Sequence, residues 1–180
     1  MDDLDNGQSP LWMGVLVAAA ILFSFALSCG MPFAALGALA ALTLPSKDAA
    51  LLAGLGWLAN QVIGFGFLGY PLETTTLAWG AALGLSAVAA VGAALAALQR
   101  MRVAASTLRL AGAFFAAWAA QQGVVFVASL LLGGTATAFA PAVVWLIFWT
   151  NGLAFAVLLL AQVIGAQVGL ARPPIGQLAG

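Results

Sequence analysis

The chain has 180 residues, of which 64% are hydrophobic and only 6% are charged. A water-soluble domain devotes about a quarter of its residues to charge, so most of this protein's outer surface must face hydrocarbon. The net charge is zero, which removes any electrostatic case for a nucleic-acid partner. A single cysteine excludes an internal disulfide and a thiolate metal cage, and histidine is absent. Without imidazole there is no histidine-ligated haem, zinc or copper site and no imidazole base, so neither a cofactor nor a metal is expected.

The N-terminus, Met1-Asp2-Asp3-Leu4-Asp5, is acidic where a signal peptide needs a basic flank. Ser28-Cys29-Gly30 is only faintly like a lipoprotein cleavage site, and more membrane sequence follows it. The first apolar stretch therefore reads as a retained helix. Proline, glycine and charge divide the chain into segments 11–28, 32–44, 48–69, 75–98, 107–132 and 141–165. Ser46 and Asp48 are placed to cap the third segment and Ser106 the fifth. Pro141 suits a first helical turn, where its missing N–H costs nothing. Arg172-Pro173-Pro174 stops the last segment. The expectation is an all-α, polytopic integral membrane bundle. Residues 11–170 form one transmembrane domain, and 1–10 and 171–180 are polar tails.

Crossing about 30 Å of hydrocarbon takes about 20 helical residues. Segment 32–44 is short, so six spans compete with five spans and a re-entrant piece. Six is preferred because no polar turn breaks that segment. Lys47, Arg100, Arg102 and Arg172 follow the second, fourth and sixth segments, and Arg109 can snorkel to the same surface. The other connections carry no basic residue. Six spans thus put both termini in the cytoplasm of a multi-pass cell-membrane protein.

All five acidic residues, Asp2, Asp3, Asp5, Asp48 and Glu73, sit near segment ends or in the tail. No ionisable group lies at mid-membrane, where proton-driven pumps hold the charge they couple to. Clustered acids, bases and nucleophiles are also missing, so the chain is not expected to be an enzyme. What lies at mid-depth is neutral amide: Asn60-Gln61, Gln121-Gln122 and Asn151. An unpartnered amide in hydrocarbon costs several kcal/mol, of order. These side chains are therefore either interhelical glue or the lining of a ligand site.

Gly56, Asn60 and Gly64 share one helical stripe, which makes a close helix contact or a recess. Trp12 and Tyr70, at segment ends, read as interface anchors. Trp79, Trp145 and Trp149 fit either a membrane belt or flat walls for a ligand, and Glu73 is the acid nearest that mouth. The candidate ligand-binding set is Asn60, Gln61, Glu73, Trp79, Gln122, Trp145, Trp149 and Asn151, for a small neutral or weakly cationic molecule. Small residues recur at four-residue spacing in Gly14/Ala18, Ala20/Ser24/Ser28, Gly80/Gly84 and Ala161/Gly165/Gly169. Such ridges allow close helix packing, within the chain or against another subunit.

Met31-Pro32-Phe33 opens the short second segment, and Leu44-Pro45-Ser46-Lys47-Asp48 makes a tight turn. A glycine-rich third segment follows through Gly54, Gly56, Gly64, Gly66 and Gly69 into Tyr70-Pro71. This layout resembles the S components, the substrate-binding membrane subunits, of energy-coupling-factor vitamin transporters. The resemblance implies six helices and a vitamin-like ligand. It also implies partner subunits, namely a transmembrane coupling protein and ATPases, that supply the energy. In such proteins a small-residue motif of the first helix contacts the coupling protein, and Ala20/Ser24 or Gly14/Ala18 would serve. The competing reading is a non-catalytic accessory or assembly subunit of a membrane complex.

Overall fold

In hydrocarbon every backbone N–H and C=O must be satisfied internally, and alanine- and leucine-rich segments meet that demand as helices. The computed structural model describes residues 10–26, 31–101 and 104–171, and every regular element among them is helical. The helices are α1 (Pro10–Ala26), α2 (Phe33–Thr43), α3 (Ser46–Val62), α4 (Thr74–Arg100), α5 (Ser106–Leu132), the single turn α6 (Thr135–Ala138) and α7 (Pro141–Gln167). α3 continues through a π turn, Ile63–Phe67, so that this helical stretch runs over Ser46–Phe67. That stretch, α4, α5 and α7 are the four helices long and apolar enough to cross a membrane, and they make this a multi-pass membrane protein. Arg102, Arg172, Ser28, Cys29 and, of the polar tails, residues 1–9 and 172–180 lie outside the described residues.

The count of six spans rests on the two shorter helices, α1 and α2, of which α2 is the shorter. Its 11 residues rise only about 16 Å. All of them are buried. The segment Phe-Ala-Ala-Leu-Gly-Ala-Leu-Ala-Ala-Leu-Thr has no polar face, and a helix apolar all round belongs inside other helices. α2 is sheathed by α3, α4, α5 and α7. Gly37 is what lets it approach α4, because a Cβ there would stand 3.2 Å from both Ala90 Cβ and the Val91 backbone nitrogen.

Ala20/Ser24, Gly80/Gly84 and Gly165 join helices within the chain, whereas Gly14 and Ala18 are exposed. Gly56 faces Ala20, and the Ser24 hydroxyl donates to Asn60 Oδ1 at 3.3 Å. Ala20/Ser24 thus runs in register with Gly56/Asn60, with α1 and α3 side by side and parallel. Across the α3–α4 seam, Gln61 fills the space over Gly80 and the Trp57 indole covers Gly84. The Trp57 indole N–H donates to the Gly80 carbonyl at 2.8 Å.

Four local expectations change. Trp12 is buried rather than an interface anchor, because Gly165 leaves a slot for its ring and its indole N–H donates to Gln162 Oε1 at 2.8 Å. Arg109 is buried in the first turn of α5 instead of extending to the surface. Ser46 and Ser106 are the first residues of their helices, following Pro45 and Ala105, and make no capping bond. Asp48 acts through its charge, in the first turn of α3 where the helix dipole favours an anion. Pro141 does open α7.

Candidate functional site

A helix leaves its first four N–H groups without intrahelical partners. At the surface water or a serine serves them, but α2 begins inside the bundle. The Phe33 N–H donates to the Met31 carbonyl at 2.9 Å and the Leu36 N–H to the Pro32 carbonyl at 3.1 Å. The two between them need side chains from elsewhere. Ala34 N–H donates to Gln121 Oε1 at 2.9 Å and to Asn151 Oδ1 at 3.1 Å. Ala35 N–H donates to the same Asn151 oxygen at 3.2 Å. Asn151 is held in that orientation by its own Nδ2, which donates to the Ile147 carbonyl at 2.9 Å. Amides of α5 and α7 thus act as a remote N-cap, and their oxygens face the positive end of the helix.

Beside this cap lies a cavity of about 310 Å³, at the lower end of the range for small-molecule sites. Its walls are Met31, Phe33, Leu83, Val125, Leu146 and Ile147, and its polar groups are Gln121, Gln122, Thr150 and Asn151. Two larger recesses, of about 640 Å³ between α4 and α5 and about 400 Å³ between α1 and α3, have no polar side chain in their lining. They are apolar grooves of the kind that lipid chains fill.

Within the smaller cavity the amides differ in what they have free. The Gln121 oxygen is occupied by Ala34, so its Nε2 hydrogens remain for the cavity. Gln122 is only 8% exposed and makes no hydrogen bond with any described residue. Its amide opens onto the cavity, so the cavity's contents decide whether that polar group is satisfied. One turn earlier on α5, the Trp118 indole N–H is also buried without a partner, with its ring edge-on to Phe148 at 5.5 Å.

Of the residues singled out from the sequence, the structure brings Gln122 and Asn151 together and joins Gln121 and Thr150 to them. Asn60 and Gln61 belong to the α1–α3–α4 seam, where Asn60 Nδ2 donates to Gln61 Oε1 at 3.4 Å. Trp145 and Trp149 are 62% and 55% exposed on the outward face of α7, edge-to-face at 5.6 Å. That face also carries Gly152 and Ala156, and it is opposite the cavity. Trp79 is half-buried on α4 outside the lining, and Glu73 is exposed at the N-cap position of α4. Met31 and Phe33 had no signal as site residues, since apolar side chains beside a proline look like helix punctuation.

Among the described residues no group of three or more His, Cys, Asp or Glu side chains comes together. Comparison with protein-family models, with curated proteins and with solved structures finds no match to this chain.

Proposed function

We propose that this protein is a membrane-embedded binding and uptake component for a small, vitamin-like molecule, working with partner energy-coupling subunits as S components do. The observation that carries this reading is Gln122, an amide with no hydrogen-bond partner in the wall of a roughly ligand-sized cavity. The lack of an ionisable group in that cavity fits a protein whose energy comes from a partner ATPase rather than a proton relay. Ala20 and Ser24 are buried against α3, so Gly14 and Ala18, both exposed on α1, are the small residues left to meet a coupling protein. The proposed orientation puts Lys47 and Arg100 in the cytoplasm, with both termini, and Glu73 outside.

The test is co-purification. The protein in mild detergent is extracted with solvent, and its small molecules are identified by mass spectrometry alongside a Gln122→Leu variant. The expected outcome is a compound enriched with the native chain and depleted at least fivefold with the variant. A native protein that carries no such compound, even from cells grown in rich medium, would defeat the proposal.

The second reading, an accessory or assembly subunit, is favoured by a different observation. The oxygens of Asn60, Gln121 and Asn151 all accept hydrogen bonds from within the chain, as structural glue would. In that case the purified complex would contain stoichiometric membrane partners and no small molecule.

A further inference from the structure

Taking the cavity as a binding site, we infer that its ligand carries an uncharged, amide-like head group, recognised by the Gln121 and Gln122 side chains at the N-terminus of α2. Gln121 and Gln122 are 6% and 8% exposed, and both line the cavity. The Ala34 N–H holds the Gln121 oxygen, which turns the Nε2 hydrogens away from the helix and polarises them as donors. Gln122 has its whole amide free and so offers a donor and an acceptor side by side. A carbonyl with an adjacent N–H matches this pair, accepting from Gln122 Nε2 and donating to Gln122 Oε1. The Gln121 Nε2 hydrogens are available for the second lone pair of that carbonyl.

Charge argues against the alternatives. No Asp, Glu, Lys or Arg lines the cavity, so an ammonium or a carboxylate head would lose its hydration without gaining a counter-ion. An ammonium fares worse still, because the helix end behind Gln121 and Asn151 is positive and the exposed donors point at it. Glu73, the acid that suggested a cationic ligand, stands outside the lining. The rest of the ligand is apolar and compact, bounded by Leu83, Val125, Leu146 and Ile147.

The experiment uses three probes with one ring and different heads, namely benzamide, benzoate and benzylamine. Each is titrated into the full chain in lipid nanodiscs, with a Leu83→Trp variant that fills the cavity as the blank for partition into lipid. Benzamide should bind the native protein, with benzoate and benzylamine at least tenfold weaker. Gln122→Leu should weaken benzamide roughly five- to a hundred-fold while the melting temperature holds. Equal or tighter binding of benzoate or benzylamine, abolished by Leu83→Trp, would overturn the head-group inference and leave the binding reading intact. Benzamide affinity unchanged by Gln122→Leu would also overturn it. If none of the three binds above the blank, inference and binding role fall together.

Discussion

Two clusters of amides in this bundle have different tasks. In the α1–α3–α4 seam, Asn60 pairs with other side chains, accepting from Ser24 at 3.3 Å and donating to Gln61 at 3.4 Å. Between α5 and α7, Gln121 and Asn151 pair with backbone, taking the Ala34 and Ala35 N–H groups at 2.9–3.2 Å. Side chains released from one partner can rotate towards another. A backbone N–H at the start of a buried helix cannot. The difference teaches that an amide in a membrane helix is valued by its partner's freedom, and the same residue type is adjustable in one seam and obligatory in the other.

Mutants separate the two clusters. The largest effect should come from Asn151→Leu, which strips Ala35 of its acceptor and leaves Ala34 to Gln121 alone. One buried N–H without a partner costs about 1–3 kcal/mol, and thermal unfolding in nanodiscs should show a clear fall in melting temperature. Stability equal to the native protein would mean that α2 has another cap. Asn60→Leu should cost less, about 0.6 kcal/mol, the average for a side-chain hydrogen bond between membrane helices. A loss as large as that of Asn151→Leu would erase the distinction. At the bottom of the scale, Gln122→Leu should leave stability unchanged or raise it slightly, since it removes a polar group with no partner in the fold. A substantial drop in melting temperature would show that Gln122 belongs to the cap as well.

Much of this was legible in the sequence, and the gaps have physical causes. Helix ends near Pro45, Pro141 and the Gly133-Gly134 turn follow from local chemistry, and the amides stand out against an apolar background. The partners of those amides do not, because Gln121 meets Ala34 across 87 positions and Asn151 meets it across 117. Segment 32–44 lacks a polar turn, which favours a continuous helix, and its lack of any polar face is also the mark of full burial. The position of Trp12 at a segment end marks it as an anchor. The Gly165 ridge that receives it was visible, but its tenant was not. For Trp145 and Trp149 the belt reading and the ligand-wall reading share one helical face, and only the packing of α7 shows that this face looks outward.

The shortness of α2 bears on traffic through the bundle. The helix rises only about 16 Å, roughly half the hydrocarbon thickness, and runs towards Lys47, so alanine and leucine fill the middle of the bundle over that length. The cavity lies above that filled length, on the side of Glu73, where Leu83, Val125 and Leu146 stand. While the short helix keeps its place among α3, α4, α5 and α7, packed side chains interrupt the path along the bundle, which alone should not leak.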